Sequence, residues 1–328
     1  MRELIVKELE AGQRLDKFLH KYLKEAPNSF LYKMMRKKNI VLNGKKVSGN
    51  EQIQQGDSIK LFLSDETIDK FMGKSVKTDI SLPYKEAYAS LKGISVVSEF
   101  PDVLFLNKPA GVLSQRGEGT DWSANEWLIG YLLETGSVTP EELLTFKPSV
   151  CNRLDRNTSG LLVCSKTLLG SQEMARMLKD RSLHKYYRCL VKGKCDLDGV
   201  FDAFLYKDEA KNKVEIFDSL TDFPESKRDK AKPVKTGIRS LKVSDDVSEL
   251  EIELFTGKTH QIRAQMEHLG FPLIGDIKYS GGTKGEKTGG QRLHAYRLVF
   301  PEIKGKLDYL SNLEIICEKP DSFLNMGR

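Results

Sequence analysis

Apolar residues recur along this chain with two different periods, and the change of period divides it. In RLDKFLHKYLK, residues 14 to 24, Leu15, Phe18, Leu19, Tyr22 and Leu23 follow the i, i+3, i+4, i+7, i+8 spacing of an amphipathic helix. Pro27-Asn28 ends that helix, and Asn28 or Ser29 is the expected cap of a second one with Phe30, Leu31, Met34 and Met35 as its buried stripe. In IVLNGKKV, residues 40 to 47, Asn43-Gly44 between apolar runs predicts a two-residue hairpin. Another short strand is expected over Ser58 to Leu63, after the turn Gln55-Gly56-Asp57. Residues 1–64 thus read as a small domain of two helices and a short sheet. A chain of about 60 residues is marginal for independent stability, which suits an accessory module.

Residues 65–92 carry no clear period and read as an interdomain linker, partly helical. From Ile94 onward period two dominates. ISVVSEFPDVLFLNKPAG holds two strand-like runs broken at Pro101-Asp102, and further strands are predicted at 159–165, 185–192, 200–205, 213–217, 235–244, 248–256 and 292–300. Helices are predicted at 123–134, 168–181 and 259–269. Many strands joined by short turns, with few helices between them, make 93–328 an α+β domain with a mixed, mostly antiparallel sheet. Alternating βα units are missing, which argues against a doubly wound nucleotide fold.

Composition narrows the class. At 328 residues, 39% hydrophobic and 30% charged, the chain has the make-up of a soluble globular protein of two domains. No run approaches the roughly 18 apolar residues of a membrane helix, and MRELIVKELEAGQRL lacks the apolar core of a signal peptide, so a cytoplasmic protein is expected. The five cysteines form no C-x-x-C pair and the five histidines no H-E-x-x-H motif, so no metal is expected.

Charge changes the picture more. Residues 1 to 64 hold 13 Lys and Arg against 7 Asp and Glu, an excess of six that equals the net +6 of the whole chain. Clustered positive charge is the footprint of a polyanionic partner, although a solvated basic surface gives the same composition.

Three segments carry candidate chemistry. VCNRLDRNTSGLLVCSK, residues 150 to 166, sets Asp155 between Arg153 and Arg156, just ahead of a polar turn and an apolar strand. Two neighbouring guanidiniums favour the carboxylate form of such an acid, and a strand behind it would hold it at a rigid edge. HKYYRCLVKG, residues 184 to 193, is a strand of alternating polarity with adjacent tyrosines, Tyr186 and Tyr187. TGKTHQIRAQM, residues 256 to 266, runs from a strand end into a helix. Gly257-Lys258-Thr259 invites a phosphate-loop reading, but position 252 is Ile rather than Gly, so G-x-x-x-x-G-K-[ST] fails and an NTPase is rejected. The Gly-rich stretch 281–290 fails the same test and reads as a mobile basic loop.

Taken together, CNRLDRNTSGLLVCSK, KYYRCLVKG, TGKTHQIRAQMEHLGFPLIGD and the opening VLFLNKPAG resemble the RluA-type pseudouridine synthases over about residues 94 to 300. In residues 1–64, Arg14-Leu15-Asp16, Ser29, Val41-Asn43-Gly44-Lys45 and Gly56-Asp57 resemble the S-four-like RNA-binding domain. The resemblance implies catalytic roles for Asp155, Tyr187 and Arg263, the arginine being the partner of the aspartate. It implies that Arg153 holds the RNA open around the target base, and that Arg36, Lys37, Lys38, Lys45 and Lys46 face RNA. Many relatives have His where this chain has Asn152, and Asn has no proton to exchange near neutrality.

The function so implied is isomerisation of uridine to pseudouridine in structured RNA, with large-subunit ribosomal RNA as the expected partner and a monomer as the expected state. Such a reaction gains no atoms and loses no electrons, so no cofactor is expected. A non-catalytic RNA-binding or ribosome-assembly factor is the alternative. It would have no need of Asp155, Tyr187 and Arg263 in register. A glycoside hydrolase would need a second carboxylate paired with the first, and the sequence singles out none near the motif.

Overall fold

The computed structural model describes residues 1–73, 79–119, 121–280, 290–320 and 323. The chain opens with strand β1 (Arg2–Ile5), which the apolar pattern does not announce because it is short and only half covered. Helices α1 (Leu15–Tyr22) and α2 (Asn28–Arg36) follow as their periodicity predicts. Pro27, rather than Asn28 or Ser29, occupies the N-cap of α2. Its fixed φ suits the helix entry, and Asn28 becomes the first helical residue. Arg14 caps α1 and grips Asp16 in a two-point ion pair with N–O distances of 3.1 and 2.7 Å, which Tyr32 completes with a 3.0 Å hydrogen bond.

Strands β2 (Ile40–Leu42) and β3 (Lys45–Lys46) form the expected hairpin, with Asn43 and Gly44 at φ of 50° and 73°. With β4 (Ser58–Leu61) they complete a four-stranded antiparallel sheet in the order β1-β4-β2-β3. The residues expected to be a linker divide between two cores. Helix α3 (Asp65–Met72) buries Ile68 and Met72 in the N-terminal core beside Leu19, Leu23 and Leu31. Helix α4 (Leu82–Ser90) packs on the large domain, where Tyr88 meets Trp127 at 5.3 Å between ring centroids. The connection narrows to the stretch between Gly73 and Asp79, of which residues 74–78 lie outside those described.

The large domain is built, among the described residues, on an 11-stranded sheet. Strands β5 (Ser95–Glu99) and β6 (Val103–Lys108) lead to helix α5 (Ala124–Glu134), capped by Ser123 and Glu126 in a capping box. The short β7 (Ser149–Val150) and β8 (Ser159–Ser165) bracket the Asp155 segment, and helix α6 (Leu168–Asp180) follows. Strands β9 (His184–Lys192), β10 (Asp198–Asp208), β11 (Lys213–Phe217), β12 (Lys232–Lys242) and β13 (Val247–Leu254) run on to helix α7 (Gln261–His268). Strands β14 (Leu293–Val299) and β15 (Glu314–Ile316) end the sheet. The main path is β11-β10-β12-β13-β9-β14-β8-β6-β5, antiparallel apart from the β14–β8 pair.

Period two explains the layering. On β6, Leu104 and Leu106 face the core under α5, while Val103 and Phe105 face the core under α6. On β8, Leu162 and Cys164 join the first core, and Leu161 and Val163 the second. Both strands are therefore covered on both faces and read as continuous apolar runs. The Asp155 segment emerges directly from this doubly buried pair. Among the described residues no helix is long and apolar enough to cross a membrane. The Gly-rich stretch 281–290 lies, except for Gly290, outside the described residues.

Candidate active site

The Asp155 segment is held through both its backbone and its side chains. Ser114 Oγ donates to Leu154 O and accepts from the Leu154 N–H, both at 2.9 Å. The fully buried Lys108 ammonium donates to the carbonyls of Pro109, Val112 and Arg156 at 3.0, 2.8 and 3.1 Å. Burial pulls Lys108 down to about 7, with the charge of Asp155 acting against that shift. Asn152 Oδ1 accepts from the Val163 N–H at 2.8 Å, so this side chain anchors the segment to β8. Gly160, at φ +107°, lies where β14 runs alongside, and a Cβ there would stand 2.1 Å from the Ala295 carbonyl. Only glycine fits both the backbone conformation and that approach.

Arg263 reaches this carboxylate from the first turn of α7, donating from Nη1 to Asp155 Oδ2 at 2.8 Å. The rest of its guanidinium belongs to a second acid that the sequence did not single out. Nε and Nη2 donate to the two oxygens of Asp276 at 2.7 and 2.9 Å, and the Asp276 side chain is 1% exposed. Two parallel charge-assisted bonds fix the plane of the guanidinium and aim its remaining edge. Burial alone would lower the Arg263 pKa, but the hydrogen bonds and charge of Asp276, and then of Asp155, hold it above the ordinary arginine value. The helix that carries Arg263 is itself anchored by buried polar contacts. Gln261 Nε2 and Gln265 Oε1 both bond Thr236 Oγ1 on β12.

The adjacent tyrosines separate because successive residues on a strand point to opposite faces. Tyr187 lines the cleft that Asp155 opens into, and burial, then the charge of Asp155, push its phenol well up. Tyr186 lies under the Arg297 guanidinium, 4.0 Å from its ring centroid, and does not line the cleft. Arg153 is exposed on the rim of the cleft. Arg156 turns away to Asp121 at 2.8 Å, so Arg263 rather than Arg153 or Arg156 makes the direct pair with Asp155. Arg36, Lys37, Lys38, Lys45 and Lys46 are all exposed at the end of α2 and along the β2–β3 hairpin, on the N-terminal unit.

The sequence also missed His260 and Tyr279. His260 caps α7 in the left-handed region, φ 54° and ψ 17°, a conformation that costs a non-glycine residue about 1–3 kcal/mol. Its Nδ1 lies 3.0 Å from Tyr279 Oη, and its Nε2 lies 3.7 Å from Asp155 Oδ2. Burial lowers the His260 pKa, Arg263 and Lys278 add to that, and Asp155 and Asp276 oppose it. The only signal for His260 in the sequence was its place three residues before Arg263.

The cleft encloses about 920 Å³. Among the described residues, nine Lys and Arg line it with a single carboxylate, Asp155. The large domain is neutral in sum, yet its charges are sorted so that cations face the cleft. Among the described residues no cluster of three or more His, Cys, Asp or Glu is arranged to hold a metal ion.

The chain is similar to known proteins. The chain is 27% identical over 293 residues to ribosomal large subunit pseudouridine synthase C of Vibrio cholerae, a match covering 88% of this chain and 81% of that one. It is 28% identical over 326 residues to an uncharacterised RNA pseudouridine synthase of Mycoplasma genitalium, covering 95% and 93%. The fold resembles that of the human RNA pseudouridylate synthase domain containing 4 protein, with a TM-score of 0.56, 18% identity, and coverage of 75% of this chain and 95% of that one. Residues 102–268, half of the chain and the part that carries Asp155, Tyr187 and Arg263, match the RNA pseudouridylate synthase family, and the chain belongs to it.

Proposed function

We propose that this enzyme isomerises uridine to pseudouridine in structured large-subunit ribosomal RNA, with the Asp155 carboxylate acting at the glycosidic bond. The observation that carries the reading is that, among the described residues, Asp155 is the one acid facing a cleft lined with cations. Phosphates meet positive charge there, and the carboxylate waits at the inner wall. Both relatives described above are named as pseudouridine synthases, one of them as a ribosomal large subunit enzyme.

The reaction breaks the bond from ribose to N1, turns the uracil and joins the ribose to C5, while the C5 proton leaves and N1 gains one. Atoms and electrons balance, so the chemistry calls for no cofactor or metal. Asp155 serves as nucleophile or base. Arg263 keeps a counter-charge beside it as the substrate excludes water, against a desolvation cost of several kcal/mol per ion. Burial keeps the Tyr187 phenol protonated, which favours its use as a surface for the uracil ring over that of a resting base. A base stacked in RNA reaches the cleft only by flipping out, at a cost of a few kcal/mol. Arg153 on the rim offsets that cost by entering the space the base leaves.

The N-terminal unit serves as the RNA-binding domain, through Arg36, Lys37, Lys38, Lys45 and Lys46. Its separate apolar core, which includes α3, supports treating residues 1–72 as that unit. The protein works as a monomer in the cytoplasm.

The test compares wild type with Asp155→Ala on ribosomal RNA lacking the modification, with pseudouridine mapped by carbodiimide labelling and primer extension. Wild type forms pseudouridine without added nucleotide or metal, and the variant forms none. Equal formation by both sinks the role of Asp155. Binding without formation by either on any cellular RNA points to the non-catalytic binding factor.

A further inference from the structure

Two donors converge on one oxygen of the Asp155 carboxylate. Arg263 Nη1 bonds Oδ2 at 2.8 Å, and His260 Nε2 faces the same atom from 3.7 Å. Among the described residues no donor reaches Oδ1. The carboxylate is thus presented with one oxygen held and one oxygen open to the cleft.

The tautomer of His260 follows from its neighbours. The Val214 N–H donates to Tyr279 Oη at 3.0 Å. The hydroxyl proton of Tyr279 therefore points elsewhere, and its one acceptor among the described residues is His260 Nδ1, 3.0 Å away. Burial pushes the Tyr279 phenol up to about 12, so that proton stays in place near neutrality. An imidazole that accepts at Nδ1 carries its own proton on Nε2, the nitrogen that faces Asp155. The imidazole is held at the left-handed N-cap of α7, a strained place for it. Strain of this kind persists where the surroundings fix it and is concentrated at functional sites.

We propose that His260 is a positioning residue for the reaction: a neutral imidazole, fixed in its Nε2–H tautomer by Tyr279, that donates to Asp155 Oδ2 when substrate closes the cleft and leaves Oδ1 as the oxygen that acts at the ribose. This rests on the pseudouridine synthase reading above. It adds a second donor to the single one that Arg263 supplies, and it assigns different work to the two carboxylate oxygens. A neutral donor suits the place better than a cation, because the site already holds Arg263 and Lys278, and a third positive charge would dull the reactivity of the carboxylate.

The test uses the full-length protein under single turnover, so that the rate of conversion and the affinity for RNA separate. His260→Gly removes the imidazole and relieves the left-handed backbone, and its melting temperature is expected at or above that of wild type. Its conversion rate falls at least tenfold with RNA affinity unchanged within twofold. His260→Gln restores an N–H donor of similar reach and recovers most of the rate. In wild type, ¹⁵N spectra of labelled histidine, with the His260 ring assigned by its loss in His260→Gln and so told apart from His294, whose Nε2 donates to the Cys317 carbonyl, show the His260 ring held as the Nε2–H tautomer at pH 7, and Tyr279→Phe shifts that ring towards a tautomer mixture and slows conversion. A folded His260→Gly variant that converts at the wild-type rate overturns the proposal. So does a His260→Gln variant as slow as His260→Gly, or an Nδ1–H tautomer at the assigned His260 ring in wild type. Absence of conversion by wild type itself would instead count against the pseudouridine synthase reading.

Discussion

Replacing Asp276 by Asn tests the construction of the site most directly, because Asp276 orients Arg263 without facing the cleft. Asn keeps one acceptor but removes the charge and one arm of the two-point pair, whose N–O distances are 2.7 and 2.9 Å. The side chains involved are 9% and 1% exposed, so water replaces little of what is removed. Removing one partner of a buried ion pair typically costs about 3–5 kcal/mol, because the other charge stays buried. Here Arg263 keeps its 2.8 Å bond to Asp155, which places the expected loss near the lower end, about 3 kcal/mol. For a domain of this size each kcal/mol lowers the melting temperature by about 2–4 °C, so a fall of about 6–12 °C is expected. Differential scanning calorimetry of wild type and Asp276→Asn reads it. The conversion rate falls as well, since the guanidinium is free to rotate away from Asp155, while Asp276→Glu recovers part of both. A melting temperature within about 2 °C of wild type, with conversion unchanged, would refute the claim that Asp276 fixes the guanidinium.

Two further outcomes follow from the charge and proton balance of the fold. Replacing Lys45 and Lys46 together by alanine lowers the slope of log affinity against log salt by about 0.7–0.9 for each phosphate that these lysines neutralise, while melting is unchanged, and an identical slope would remove them from the RNA interface. His294 is fully buried between Ser159 Oγ at 2.8 Å and the Cys317 carbonyl at 2.9 Å, and burial lowers its pKa below the ordinary 6.5. As pH falls through about 6.5 the unfolded chain takes up that proton first, so stability present above this pH is lost by up to about 1.4 kcal/mol per pH unit from this residue. His294→Gln shows a shallower acid slope in melting temperature between pH 7.5 and pH 5.5, and an equal slope would exclude His294 as a source.

Elements whose residues carry a period were legible along the chain before any fold was known. Strands β8 and β11 match the predicted 159–165 and 213–217, because strands buried on one or both faces must declare themselves in apolar residues. The Asn43-Gly44 hairpin was equally legible, since its turn demands positive φ at both positions. Strands β1, β7 and β15 went unseen because runs of two to four residues carry no measurable period and, unlike β2, β3 and β4, were read with no flanking turn motif to mark them. The segment 65–92 was weakly patterned because α3 and α4 each bury only a few residues, in two different cores.

The site divides in the same way. The sequence marked Asp155, Tyr187 and Arg263 through ordered motifs, and the family resemblance named Arg263 as the partner of the acid, but neither pointed to Asp276 as the group that orients that arginine. The meeting of residues 155, 263 and 276 is a property of the assembled domain: α7 must pack over β12 before Arg263 can turn one edge to Asp276 and the other to Asp155. Net charge misled for a related reason. A sum over the large domain gives neutrality, but only the fold decides which charges share a surface, and it gathers cations around one carboxylate. Residue type and period are written along the chain. Electrostatic partnership depends on distance in space, and no spacing in the sequence encodes a meeting of side chains more than a hundred residues apart.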